Sequence, residues 1–319
     1  MQIYRVRFLV IILLNVIFLT SCSTNESKVS FNDWQSDVKS KAIKSGVNEA
    51  TFDEAFDKVK PKTKFKKIDQ KQYKSKKTFE QYYQNHVNNL RVKNARKLSK
   101  QNKDILIEVE NKFDVPKKYI LALWGIETDY GRQTGNFYVI ESLANLAYNS
   151  RRQDFFESEL INALKMVDDN VITIDQFNGS WAGATGQCQF IPSSYYKYGF
   201  DGNDDGVIDI WKNKDDIFSS IANYLATLNW DPKLPWGYKV KYNKNISNKK
   251  EYINLQGLAS NGLIKTNGSN FTKYELNQEV RFINLDNELY ITFKNFDILW
   301  DWNHSNYFAA TVGKFAEKI

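Results

Sequence analysis

The chain has 319 residues and a formal net charge of +7, which makes it long for one average domain and only modestly basic. That excess suits anionic surroundings and marks no specific nucleic-acid site. With 42% hydrophobic residues, including 21 Phe, 18 Tyr and 8 Trp, a sizeable core is expected. No Gly/Ser-rich linker or internal repeat divides the chain, and no Gly-rich phosphate loop follows a strand, so nothing here supports a nucleotide enzyme.

Residues 1–22 read as a secretion signal, with Arg5 and Arg7 ahead of an apolar run from Phe8 to Leu19. The run is too short to span a membrane. Leu19-Thr-Ser-Cys22 resembles the bacterial lipoprotein box, which implies lipidation at Cys22. Acyl anchoring would hold the protein on a membrane, and Ser23 after the Cys implies the periplasmic face of the outer membrane. An ordinary signal peptide with a chance Cys is the alternative. With Cys22 given to lipid, Cys188 is the remaining thiol, so no intramolecular disulfide can form. Cys188 is expected to be a small buried packing residue, since only His86 and His304 are available as bases.

The mature body, 23–319, begins with a helical part over 23–115. Trp34, Val38 and Ala42, then Phe52, Ala55, Phe56 and Val59, fall at helical spacing on either side of a break at Gly46. Lys58 to Lys77 is strongly basic, either a solvated face or a contact for acidic peptides or lipid headgroups. Phe79 to Phe113 is expected to continue as helix.

The next helix spans Tyr119 to Gly131, with Asp114 as N-cap, Pro116 in the first turn and Gly131 as the left-handed stop. Ile120, Leu123, Trp124 and Glu127 recur at the i, i+3, i+4, i+7 spacing of a buried face, so Glu127 points into the core. A buried carboxylate must be neutralised, paired or used. Desolvation would keep it protonated near neutral pH, as a general acid requires. The plain alternative is a Glu paired with an Arg or capping a neighbouring helix.

Another helix is expected over Phe137 to Tyr148. A second stretch of chemical interest is Gly179-Ser-Trp-Ala-Gly-Ala-Thr-Gly-Gln-Cys-Gln-Phe-Ile-Pro-Ser-Ser194, whose small residues let backbone approach a ligand. Together with Trp124-Gly-Ile-Glu-Thr-Asp-Tyr-Gly-Arg132 it resembles the membrane-bound lytic transglycosylase B family, which cleaves peptidoglycan glycan strands. The resemblance continues through Asp201 to Tyr224 and Asn303-His-Ser-Asn-Tyr307. It implies a mainly α-helical, lysozyme-like catalytic body with additional helices and a small antiparallel β segment.

The resemblance makes Glu127 the catalytic acid/base and places Ser180, Gln189 and Tyr224 at the sugar. It adds Tyr82, the pair Arg151 and Arg152, and Trp302, Tyr307 and Phe308 as cleft residues. Each has a plainer reading: Ser180 as a helix cap, Gln189 as a tie between loops, Tyr224 as core, and the arginines as partners of the acids in 153–159. The segments implied are a lysozyme-like core at 116–236, a small β-containing part at 237–297, and a C-terminal helix at 298–319 closing the cleft.

Asp201-Gly-Asn-Asp-Asp-Gly-Val-Ile-Asp209 fits the start of a calcium loop, with Asp201, Asn203 and Asp205 at positions 1, 3 and 5 and the Val207 carbonyl at position 7. Lys212 stands where an EF-hand places its bidentate Glu. The family's longer loop implies Asp216 as the closing ligand. The alternative is an Asp/Gly turn without metal, and any calcium over 201–216 would be structural.

Glycoside hydrolysis ordinarily needs two carboxylates. Here one inward carboxylate stands out, since Asp129 lies two residues on and faces another side of the helix. The resemblance implies a lyase needing one: cleavage of the bond between N-acetylmuramic acid (MurNAc) and N-acetylglucosamine (GlcNAc) to a 1,6-anhydro end, without water. No cofactor is required. Glycan strands are the implied substrate, and partners in wall synthesis stay open. A hydrolytic muramidase and a non-catalytic peptidoglycan-binding lipoprotein are the alternatives.

Overall fold

The computed structural model describes residues 29–72, 77–244 and 251–319. The expected leader, the expected lipidation at Cys22 and residues 73–76 of the basic run lie outside them.

Helices α1 (Phe31–Lys44) and α2 (Glu49–Phe56) form where the apolar spacing places them. Ser30 caps α1 by accepting the Asp33 N–H, and Val38, Ala42, Phe52, Ala55 and Phe56 are buried. After α3 (Thr63–Gln72), the stretch expected to be one long helix is three: α4 (Phe79–His86), α5 (Asn89–Gln101) and α6 (Lys103–Phe113). Two asparagines make the breaks. The Asn88 side chain accepts the Arg91 N–H at 2.9 Å and starts α5, while Asn102 donates back to the Leu98 carbonyl at 2.8 Å and ends it. Short amide side chains offer the backbone an alternative to continued helix.

Helix α7 (Lys117–Thr128) carries Glu127. Asp114 does not cap it; in the left-handed conformation, φ +54, it closes α6 instead. The Lys117 N–H is satisfied from α6 by Glu110 at 3.1 Å, which leaves Asp114 free for that turn. The far end also comes earlier than Gly131. Asp129, Tyr130 and Gly131 all have positive φ, and the Asp129 and Tyr130 N–H groups fold back onto the Gly125 and Trp124 carbonyls.

Phe137 and Tyr138 do not begin the next helix. They form β1 (Phe137–Tyr138), antiparallel to β2 (Asn178–Gly179), and α8 (Val139–Asn149) starts after them. Helices α9 (Gln153–Asp168), α10 (Pro192–Tyr198) and α11 (Lys214–Thr227) complete the body around α7.

A five-stranded antiparallel sheet follows. Its strands are β3 (Gly237–Lys241), β4 (Ile253–Asn254), β5 (Ile264–Lys265), β6 (Glu279–Leu285) and β7 (Glu288–Thr292), in the order β4-β6-β7-β3-β5. Helices α12 (Leu255–Ser260) and α13 (Lys273–Leu276) are threaded between strands. Alternation along β6 and β7 splits the sheet's residues between two cores. Val280, Phe282 and Ile291 fill a small core under the sheet, whereas Ile283, Leu285 and Tyr290 join the main core of the helices. The sheet is therefore welded to the helical body.

The C-terminal stretch is two helices, α14 (Lys294–Asn303) and α15 (Asn306–Ala316), where one was expected. His304, at φ +50, breaks them, and Ser305 caps α15 by accepting the Phe308 N–H. The molecule is mainly α-helical with a small antiparallel sheet, the expected fold class.

Candidate active site

Glu127 sits in the last turn of α7, half-buried, one residue before Thr128 turns the chain. Its Oε1 accepts the Trp302 indole N–H from α14 at 2.7 Å. Burial pushes its carboxyl up to about 8, against the smaller opposing pull of that N–H. The group is therefore mostly protonated at neutral pH and still able to ionise, the condition for a group that gives and then takes a proton.

Aromatic rings hold this carboxyl in place. Trp302 packs on Tyr224 at 4.5 Å between centroids and on Phe190 at 5.5 Å, and Tyr224 in turn meets Tyr198 at 4.4 Å. Tyr224 is nearly buried, and desolvation raises its hydroxyl pKa. Tyr82 stacks on His86 at 4.2 Å and meets Tyr307 edge-on at 5.8 Å. Its hydroxyl is pushed up to about 12, chiefly by burial and then by the nearby Glu127 carboxylate.

A cleft of about 700 Å³ runs along this wall, lined by Asp69, Lys77, Tyr82, His86, Arg151, Arg152, Asn303, His304, Ser305 and Tyr307. Arg152 stacks on Phe155 and Phe156. Two of the three acids in 153–159 have partners elsewhere: Lys41 reaches Glu157 at 2.7 Å, and the Ser193 N–H reaches Glu159 at 2.9 Å. Asp129, the other carboxylate near Glu127 in sequence, is bound by Arg91 at 3.2 Å and Arg132 at 2.7 Å.

The loop after β2 supplies the remaining polar groups. The Ser180 hydroxyl oxygen accepts the Ala182 and Ala184 N–H groups at 3.3 and 3.0 Å, so it organises its own turn. Gln189, at φ +50, donates its amide to the Thr134 and Gly186 carbonyls, which leaves its Oε1 as the acceptor it has to offer. Phe308, expected in the cleft, is 3% exposed and packs in the main core. Cys188 is fully buried, and its thiol reaches the Ile217 carbonyl.

A family model described as "Transglycosylase SLT domain" matches residues 30–317, nearly all of the described chain. The chain belongs to the transglycosylase SLT family. Over 237 residues, 69% of this chain, it is 30% identical to the membrane-bound lytic murein transglycosylase B of Escherichia coli K12. That match spans 61% of the relative's own length.

SltB3 from Pseudomonas aeruginosa, solved with NAG-NAM-pentapeptide and with NAG-anhNAM-pentapeptide, is similar at 30% identity, with TM-scores of 0.85 and 0.83. Those alignments cover 90% of this chain and 79% and 78% of the two SltB3 chains. The E. coli lytic transglycosylase Slt35 in complex with calcium, at 24% identity and a TM-score of 0.77, shares the fold over 89% of this chain and 91% of its own.

One structural tie beside Glu127 was not singled out from the sequence. Gln187 accepts the Trp124 indole N–H at 2.8 Å and donates to the Trp211 carbonyl at 2.8 Å, tying α7 to the glycine-rich loop. Gly131 makes room for it, since a Cβ there, at φ +80, would lie 2.3 Å from Gln187 Oε1. The signal was the glycine-rich motif itself, in which Gln187 and Gln189 are two residues apart.

The expected calcium ligands do not converge. Among the described residues no three acidic, His or Cys side chains form a metal-binding group. The loop closes instead on its own N–H groups. Asp201 accepts those of Asp205 and Gly206, Asp205 accepts that of Val207, and Asn203 donates to Asp205. Buried Asp216 accepts the Gly202 and Asp209 N–H groups at 2.8 and 2.7 Å. These N–H bonds fix the shape of the loop and use only part of each carboxylate's acceptor capacity.

Proposed function

We propose that this chain is a peptidoglycan lytic transglycosylase with Glu127 as its one general acid/base. The observation that carries the reading is a desolvated carboxyl, raised to about 8, held by Trp302 and adjoining Tyr82 on the wall of a cleft of about 700 Å³. In the first step Glu127 gives its proton to the oxygen joining MurNAc C1 to GlcNAc, and that bond breaks. The carboxylate so formed takes the proton from the MurNAc C6 hydroxyl, whose oxygen closes onto C1. The product is a 1,6-anhydro end; no water enters, and Glu127 is protonated again.

A single carboxyl suffices because both proton transfers occur at one site in sequence. Asp129, engaged by two arginines, is unsuited to act as the base of a hydrolase. The SltB3 complexes, one with an anhydro sugar and one without, support a substrate of this class. Tyr224 and Gln189 would orient the sugar, and Arg151 and Arg152 would meet its charged peptide. Calcium has no step in this reaction; an ion in loop 201–216 would be structural.

The cellular reading is wall turnover from an anchor at Cys22 on the periplasmic face of the outer membrane. The membrane-bound E. coli relative supports anchoring, and no helix among the described residues is long and apolar enough to span a bilayer. Digestion of purified peptidoglycan in heavy-oxygen water tests the chemistry. Transglycosylation leaves the new ends unlabelled, whereas label at the muramic C1 would mean hydrolysis.

A further inference from the structure

The sheet has no part in the chemistry above, yet its one long hairpin ends at the cleft. Strands β6 and β7 pair through Leu285 and Glu288, leaving Asp286 and Asn287 as a two-residue turn. Asp286 takes the left-handed conformation, φ +54, that such turns need and that Asp accepts at low cost. Ile283, Leu285 and Tyr290, set in the main core, fix where this turn lies.

At the tip, the two oxygens of Asp286 hold two different elements. Oδ1 accepts the Tyr307 hydroxyl at 2.5 Å, and Oδ2 accepts the Phe79 N–H at 2.6 Å. Phe79 is the first residue of α4, where backbone N–H groups lack helical partners and favour a negative charge. Tyr307 is in the first turn of α15 and lines the cleft. Its ring packs on Phe79 at 5.5 Å and Tyr82 at 5.8 Å, and Tyr82 adjoins Glu127.

We infer that Asp286 is a positioning residue for the glycan cleft: by holding Tyr307 and the start of α4 together, it sets the wall formed by Tyr307 and Tyr82. It touches no reacting atom and acts through those two rings. The inference rests on the cleft being the glycan site proposed above. It also gives the sheet a role, since a hairpin anchored in two cores carries its tip as a rigid arm.

Binding of a soluble tetrasaccharide of alternating GlcNAc and MurNAc, measured in the inert Glu127→Gln chain, tests this. Asp286→Ala should weaken binding about fivefold, the scale of losing one aligned hydrogen bond. Tyr307→Phe should weaken it by no more, and the double variant should match Asp286→Ala alone, since Asp286→Ala already removes the one bond that Tyr307→Phe takes away, along with the Phe79 N–H contact. Asp286→Asn keeps an acceptor oxygen and should restore part of the loss. In the active chain the defect should fall on KM rather than kcat.

Unchanged affinity in Asp286→Ala, with or without a lower Tm, would overturn the assignment, as would losses that multiply in the double variant. Labelled ends in heavy-oxygen water would refute the proposed reaction while leaving this clamp intact, so the two failures are read from different measurements.

Discussion

Glu127 is costly to keep where it is, and the cost has a pH signature. In the folded chain its carboxyl titrates near 8, against an ordinary value of 4.5. Folded protein therefore binds a proton that the unfolded chain releases, and stability falls as pH rises between those two values. Below about 4.5 the penalty is absent, and above 8 it is complete. Glu127→Gln should match the wild type in Tm near pH 4 and exceed it increasingly up to pH 8, by on the order of 1–3 kcal/mol at neutral pH. Equal Tm values across that range would show that the carboxyl is not desolvated. Glu127 was legible in the sequence because an apolar stripe at helical spacing ended on an acid. The role of Trp302 was not: it was expected at the substrate, and the bond to Glu127 spans 175 residues.

At the scale of elements, two distant helices meet at the site, and α14 tunes what α7 delivers. The Trp302 N–H favours the charged form of Glu127. Trp302→Phe should move the alkaline limb of kcat/KM above that of the wild type, with a lower maximal rate because the carboxylate intermediate loses a donor. A limb that stays put, or moves to lower pH, would show that the bond does not form in solution. Helix existence was readable from periodicity over most of the chain. The breaks at Asn88, Asn102 and His304 were not, because each depends on a local side-chain or left-handed turn that leaves the apolar spacing unchanged. Asp114 misled for a related reason: the cap it was expected to supply comes from Glu110 on the preceding helix.

For the whole molecule, the resemblance to lytic transglycosylases carried the fold class, while the sheet's strand order and its welding to the helices had no sequence signal. Strand order β4-β6-β7-β3-β5 is set by pairings between segments far apart in the chain. The two-faced burial of β6 and β7, which turns the hairpin into an arm reaching the cleft, follows from packing against helices on one side and the small core on the other. The calcium loop shows the reverse case, a strong composition pattern whose oxygens are engaged by backbone N–H groups.

The central claim is one carboxyl serving as acid and then base in a reaction without water. Its most direct test is mass analysis of the fragments released from purified peptidoglycan by the chain lacking residues 1–22, beside the same chain with Glu127→Gln. The account predicts muropeptides ending in 1,6-anhydro-muramic acid from the first, and a loss of at least about 10²-fold from the second. Reducing ends from the wild type, or equal release by Glu127→Gln, would contradict it.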